Sequence, residues 1–267
     1  MKKSILIVCA VIATFSLTAF GYMNWSNNIT DREVQPHNVT TNPEFNFLNL
    51  INKPAEPDFF YDVDSRFIKT ITKADLHNAK SINDIFSENE TMGIESFRDV
   101  NIVILPREKE NFEKSNGDEL NSSQLNLLKS TDYSTDICIE AFCKKMISET
   151  GKTEEQCFVY YITIVPEKEA VFKDGHQALI DYLKENSKEE VASISKDKLE
   201  PGKVRFIITI DGRIGHVALE STSGYASIDD KMVKLIQSLP GEWEPASNSK
   251  GEKVNQELVY SFGIIGC

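Results

Sequence analysis

The sequence predicts an α+β protein: a small N-terminal α+β domain followed by a C-terminal domain with a three-stranded antiparallel sheet and two helices. Two observations lead to this prediction. The chain has 267 residues, of which 40% are hydrophobic, and this is enough apolar material to build cores and to exclude wholesale disorder. Stretches with apolar residues at every second position, which is typical of strands, also alternate with stretches at helical spacing.

The N-terminus has the features of a secretory signal. Lys2 and Lys3 precede an apolar run from Ser4 to Met23, and small residues stand before a cleavage point after Gly21. Residues 1–21 are therefore predicted to be a cleaved signal peptide. An uncleaved anchor is the alternative, because about 20 apolar residues can span a bilayer. Either way we expect the body in the periplasm or cell envelope, touching a membrane only through this segment if it stays uncleaved.

The chain is acidic, with 29 Lys and Arg against 41 Asp and Glu and a formal charge of −12. Its one basic end is the export signal, so the predicted mature part is more acidic still. Binding to nucleic acid or to anionic lipid depends on clustered Lys and Arg. We therefore expect no nucleic-acid partner.

The N-terminal half begins with a tether. Residues 22–57 are rich in Asn, Thr and Pro and are predicted to be flexible, and residues 58–165 are predicted to form an α+β domain of no recognisable family. In order, this domain has a strand, a helix opened by a capping box at Thr72–Asp75, a second strand, a polar loop, a short helix and a hairpin. The predicted bounds are Phe59–Val63, Thr72–Phe86, Val100–Leu105, Arg107–Ser123, Gln124–Lys129, and Ile137–Met146 with Glu155–Ile164 for the hairpin.

Residues 166–267 are predicted to form the C-terminal domain, in the order helix, hairpin, helix, strand. Alternating apolar residues mark the strands, and Asp211-Gly212 marks the hairpin turn. Ser227 with Asp230 marks the cap of the second helix. The predicted bounds are Gly175–Ser187 and Ser227–Leu239 for the helices and Val204–Ile210, Ile214–Glu220 and Val254–Phe262 for the strands.

The cysteines gain importance from the predicted export, because disulfides persist outside the cytoplasm. Once Cys9 leaves with the signal, four cysteines remain, and four allow three pairings. The predicted hairpin brings Cys143 near Cys157, which makes this pair the candidate disulfide, with small buried thiols as the alternative. Cys267 either stays reduced or pairs with Cys138. The spacing of the cysteines is not that of a zinc site, so no metal ligands are predicted.

The sequence offers no candidate catalytic residue and no cofactor motif. Its four histidines form no His-x3-His pair, and neither a nucleophile elbow nor a phosphate-cradling glycine loop occurs. We therefore expect a protein that is not an enzyme and needs no cofactor.

Six short motifs follow one another in the C-terminal region. They are Val171–Gly175 running into an aliphatic helix, Gly202–Phe206, Ile210–Ile214, Ile228-Asp229, Trp243–Ala246 and Gly251–Val254. Their order, over about residues 167–263, resembles that of the TonB C-terminal domain, which is found in energy transducers of the TonB family.

The resemblance implies a protein that binds a partner by β-strand addition. In that family the last strand pairs with a short partner segment, because an exposed strand edge offers unpaired N–H and C=O groups. Carried over to this chain, the partner-binding edge is the strand with Val254, Gln256, Leu258 and Tyr260. The implied partner is a protein, for example a segment of an outer-membrane receptor. The alternative is that this strand only completes the core.

Three functions remain open at this point. The first is a periplasmic or envelope protein that binds a partner by strand addition, linked to TonB-dependent transport across the outer membrane. The second is a membrane-anchored TonB-type energy-transducing adaptor, and the third is a structural envelope protein without a peptide partner. The apolar N-terminal segment has no histidine, which TonB anchors use, and a proline-rich Glu/Lys spacer is missing. These departures favour the first function over the second.

Overall fold

The computed structural model describes residues 59–106, 112–147, 151–195 and 198–264. From residue 59 onward these residues form one compact unit. The predicted signal peptide and tether, and Cys267, lie outside the described residues. Within the described ranges, no helix combines the length and the apolar character needed to cross a membrane.

The described part of the chain contains eleven strands, five helices and a 3₁₀ turn. The strands are β1 (Phe60–Asp64), β2 (Lys69–Thr72), β3 (Ile94–Ile104), β4 (Phe112–Asn116), β5 (Asp136–Ile147), β6 (Lys152–Val165), β7 (Val171–Phe172), β8 (Gly202–Ile208), β9 (Ile214–Ser221), β10 (Trp243–Glu244) and β11 (Gln256–Gly263). The helices are α1 (Lys73–Asn78), α2 (Glu88–Thr91), α3 (Ser122–Lys129), α4 (His176–Ala192) and α5 (Ala226–Gln237), with a 3₁₀ turn at Ile82–Asp84. The protein is therefore of mixed α+β class, as predicted.

The N-terminal half is a five-stranded sheet in the order β2-β6-β5-β3-β4. β2 is parallel to β6, and the other neighbours are antiparallel. The predicted helix begins as expected, since the Thr72 hydroxyl accepts a hydrogen bond from Asp75 N at 3.1 Å. It ends at Asn78, much earlier than predicted, and the 3₁₀ turn follows. The predicted apolar stripe is nevertheless buried in one cluster: Leu76, Ala79, Ile82, Ile85 and Phe86.

The predicted hairpin and short helix of this half are confirmed, and the predicted polar loop is corrected. The hairpin is present as β5 and β6, and the short helix is present as α3. The stretch Arg107–Ser123, predicted to be a surface loop, contains the edge strand β4, which pairs with β3. Its alternating charges are compatible with a surface loop and with an edge strand, because an edge strand also keeps one side in water.

The C-terminal half is a four-stranded antiparallel sheet in the order β1-β11-β8-β9. Helices α4 and α5 pack on one face, and the alternate residues Val204, Phe206 and Ile208 of β8 are buried there. α5 begins at Ala226 without a side-chain cap, so the predicted cap at Ser227 is wrong. Asp229 instead accepts a hydrogen bond from Ser223 N at 2.8 Å, inside the preceding turn.

The sheet therefore has one more strand than the three predicted. β1 was expected to open the N-terminal domain, but it is hydrogen-bonded to β11 at the far end of the chain. Strand patterns show which residues share a face, and they do not show which strand is the neighbour. The predicted boundary near residue 165 thus separates two sheets of one compact unit. β1 is the exception, because it precedes this boundary in the sequence but belongs to the C-terminal sheet.

The close contact between Gly202 and Phe262 gives a stability test. A Cβ on Gly202 would lie 2.4 Å from the Phe262 ring, so we expect Gly202→Ala to lower the free energy of unfolding by roughly 1–3 kcal/mol through overpacking. Gly215→Ala on β9 is the matched control, because its Cβ would lie 3.6 Å from the nearest side-chain atom, an ordinary contact. Urea denaturation measures both. Equal losses from the two changes would contradict the close packing at Gly202.

Candidate protein-binding site

The four residues predicted to bind a partner lie on or just before β11. Val254 precedes the strand and donates its N–H to the Ala246 carbonyl at 2.9 Å. Gln256, Leu258 and Tyr260 are buried on the strand, with side chains on the face that the helices cover. The structure therefore places Gln256, Leu258 and Tyr260 in the protein interior, with Val254 just before the strand.

Gln256 and Tyr260 are held by specific hydrogen bonds. The Gln256 side chain accepts from Ala170 N and donates to Glu169 Oε2, each at 2.7 Å. The Tyr260 hydroxyl donates to Met232 Sδ at 3.2 Å, and burial raises its pKa well above the ordinary value. Both side chains are thus committed inside the protein.

The predicted open edge is corrected by the sheet order, because β11 is an interior strand. One side pairs with β8, and the other side pairs with β1 from Phe60 opposite Gly263 to Asp64 opposite Val259. Beyond the end of β1, Glu257 N donates to Ser134 Oγ at 2.8 Å. The position beside β11 that a partner strand would take is thus filled by this chain's own residues.

Tyr61 is the central anchor of β1. It stands opposite Phe262, and its hydroxyl lies 2.9 Å from Ser187 Oγ on α4. Ser187 is buried and donates its single hydroxyl proton to the Leu183 carbonyl at 2.7 Å, so Tyr61 is the donor to Ser187. Burial raises the pKa of Tyr61.

Two further residues of this segment pack beside Tyr61. The Phe59 ring lies 4.8 Å from the Tyr61 ring and 6.4 Å from the Phe262 ring, centroid to centroid. Val63 stands opposite Tyr260 and is buried in the same core. β1 therefore presents apolar side chains at every second position to pockets formed by β11 and α4, which is the pattern of a half-buried strand.

The loop after β1 is held by an ion cluster between the two sheets. Arg66 Nε lies 2.7 Å from Asp136 on β5, Nη2 lies 3.3 Å from Glu257 on β11, and Nη1 contacts Glu220 on β9. Burial acts to lower the pKa of Arg66, but the three carboxylates outweigh it and raise that pKa. Burial has the opposite effect on Asp136 and raises its pKa, despite the contacts with Thr163 and Arg66 that favour the charged form.

The candidate disulfide is not formed by the hairpin. Cys143 stands opposite Gln156 and Cys157 stands opposite Phe142, so the two side chains point to opposite faces of the sheet. Cys143 is a buried free thiol, and burial raises its pKa. Cys138 is buried on β5 opposite Tyr161. The register differs by one residue from the one that the proposed pair requires.

The histidines of the described residues lie on separate elements: His77 on α1, His176 at the start of α4 and His216 on β9. In the part of the chain that the structure describes, no group of three His, Cys, Asp or Glu side chains is arranged to hold a metal ion. His176 Nε2 lies 3.9 Å from Asp62 on β1, and both side chains are exposed.

Sequence reasoning did not find Arg66 or Ser187 as parts of this site. Ser187 had a detectable signal, because it continues the buried spacing of Leu179 and Leu183 and so places a hydroxyl on an apolar stripe. Arg66 had none, since its three partners come from distant parts of the chain. No protein-family model, no curated protein and no solved structure matches this chain.

The Tyr61–Ser187 hydrogen bond can be measured with a double-mutant cycle. We expect Tyr61→Phe and Ser187→Ala to show a coupling energy of about 1 kcal/mol in urea denaturation, the usual net contribution of such a bond. Tyr182→Phe on α4, combined with the same Ser187→Ala change, is the control and should show almost no coupling. Additive effects of Tyr61→Phe and Ser187→Ala would mean that β1 is not held through this contact.

The raised pKa of Asp136 predicts the pH dependence of stability. Because the folded state binds this proton more tightly than the unfolded state, the contribution of Asp136 is complete below 3.8 and is lost as the pH rises through the raised value. In Asp136→Asn this loss is absent, so the free energy of unfolding of the wild type should fall relative to the variant as the pH rises above 3.8.

Asp132→Asn provides the control with the opposite sign. The hydrogen bond from Lys73 lowers the pKa of Asp132, so its contribution is present above 3.8 and is lost as the pH falls through the lowered value. Urea denaturation at several pH values compares the wild type with both variants. A wild type that becomes more stable relative to Asp136→Asn as the pH rises would contradict the assigned direction.

Proposed function

We propose that the chain is an exported, periplasmic or envelope-associated protein that binds a protein partner by adding the partner's strand to β11, and that it is not an enzyme. The motifs of its C-terminal half resemble the TonB C-terminal domain, whose last strand receives partner segments. The proposal includes a link to TonB-dependent transport across the outer membrane. The observation that carries it is that β11 holds a short strand from a remote part of the chain.

The contacts of β1 are those of strand addition. Backbone hydrogen bonds to β11 are independent of sequence, and pockets receive alternate side chains, here Tyr61 and Val63. β1 is only five residues long, and its other side has no strand neighbour among the described residues. A strand held from one side by so few residues can be replaced by another that offers the same backbone groups.

One observation favours a second function, a structural envelope protein without a peptide partner. β1 already fills the place beside β11, and Arg66 ties the loop after β1 to both sheets. If β1 never leaves, β11 only completes the core. The two functions therefore differ in whether a foreign strand ever lies beside β11.

A photo-cross-linking residue in place of Ser261 distinguishes them in living cells. Ser261 stands opposite Asp62 on the face away from the helices, so the probe lies beside any strand on that side of β11. We expect an adduct with a periplasmic or outer-membrane protein, identified by mass spectrometry. The same probe at the exposed Lys234 of α5 is the control and should not give that adduct. Cross-links that stay within the chain would overturn partner binding and support the structural function.

A further inference from the structure

We propose that β1 is a resident substitute for the partner, and that the acceptor beside β11 selects a strand with an aromatic residue, a tyrosine and a β-branched residue at alternate positions. In this chain those positions are Phe59, just before β1, and Tyr61 and Val63 on β1. This inference rests on the proposed function, and it adds the chemistry of the segment that binds.

The tyrosine position is the most selective. Among the apolar side chains that line the acceptor, Ser187 supplies one buried hydroxyl, and its own proton is used by the Leu183 carbonyl. Ser187 therefore acts as an acceptor and requires a donor at the distance where the Tyr61 hydroxyl stands, 2.9 Å away. A phenylalanine there fills the same space but leaves the Ser187 oxygen without that donor, while a short side chain does neither.

The flanking positions select by size and shape. Val63 is buried opposite Tyr260, in a core whose neighbouring side chains are already in close contact. Phe59 covers Tyr61 and Phe262 from the outer end of the sheet, where it is half-buried. We therefore expect the partner segment to carry an aromatic residue at the position of Phe59 and a β-branched residue at the position of Val63, four residues later.

Two residues on the other face of β1 are in contact with water. Asp62 and Asp64 are exposed and stand in register with Ser261 and Val259 of β11. The next strand in those two rows carries the basic residues Lys203 and Arg205. Acidic residues in the partner segment are thus favoured at these positions, but weakly, because exposed charges contribute little.

The register also shows how exchange would start. Phe60 pairs with Gly263 at the end of β11, and Asp64 leads into the loop that Arg66 holds. Within the described residues β1 is tied by Arg66 at its C-terminal end, so we expect exchange to start at Phe60. An incoming strand would begin at Gly263 and replace β1 residue by residue toward Val259.

The test uses the full exported protein and a fluorescent peptide with the sequence of residues 57–65. We expect the peptide to bind, measured by fluorescence anisotropy, and to bind about fivefold more weakly when its tyrosine is replaced by phenylalanine. A peptide of the same composition in scrambled order is the control. Equal binding of the three peptides would overturn the selectivity.

A disulfide lock shows where the peptide binds. The double variant Asp62→Cys with Ser261→Cys joins β1 to β11 at a directly opposed pair. Peptide binding should be lost when this bond is oxidised and should return on reduction, whereas the single variant Ser261→Cys should not respond in this way. Unchanged binding to the oxidised form would place the peptide elsewhere and overturn the inference.

A second variant covers the case in which the lock disturbs folding. Val63→Ala loosens β1 without changing any residue of the acceptor, so we expect at least a severalfold increase in peptide affinity. The change Asp64→Ala, at an exposed position, is the control.

If no peptide binds to Val63→Ala while the probe at Ser261 still captures a partner, the selectivity fails and the proposed function stands. If the peptides bind as expected and the probe captures nothing, the proposed function fails and the acceptor chemistry stands.

Discussion

The C-terminal half depends on the antiparallel pairing of β1 with β11. This pairing satisfies the outer backbone groups of β11 from Val259 to Gly263 and closes the aromatic end of the core. Without a strand in that place, Phe262 and Tyr260 would border on water along the sheet edge, and the edge would be open to any extended chain. Stability and binding are thus two aspects of the same contact.

Polar contacts join the two sheets. Each sheet has its own buried cluster, and charged and hydrogen-bonding residues connect segments of one sheet to segments of the other. Arg66, Ser134 and Gln256 connect segments that are far apart in the sequence. β1 is followed by Arg66 and then by β2 of the other sheet. Replacing β1 beside β11 by another strand would therefore alter the contacts of Arg66 at this junction. Burial of Asp136 beside Arg66 raises the pKa of that carboxyl and makes the junction sensitive to pH.

Much of the fold could be predicted from local patterns, since these report on neighbouring residues. The cap at Thr72, the long hairpin and the buried residues of β8 were all found in this way. Two of the errors share one cause, which is that the sequence pattern was compatible with two arrangements. β4 could be a polar loop or a polar edge strand, and the hairpin could place Cys143 on either face relative to Cys157, because a shift of one residue exchanges the faces.

For the site, the alternation in residues 254–262 was sufficient to show that Leu258 and Tyr260 face inward, because side-chain direction along a strand follows from its period of two. The neighbour of β11 was decided by the tertiary structure alone. Strand pairing is made by backbone N–H and C=O groups that all residues except proline carry, so the sequence near Phe60 does not specify Gly263 as its partner. The choice was made by the fit of Tyr61 to Ser187 and of Val63 to Tyr260, which exists only when distant parts of the chain are already together.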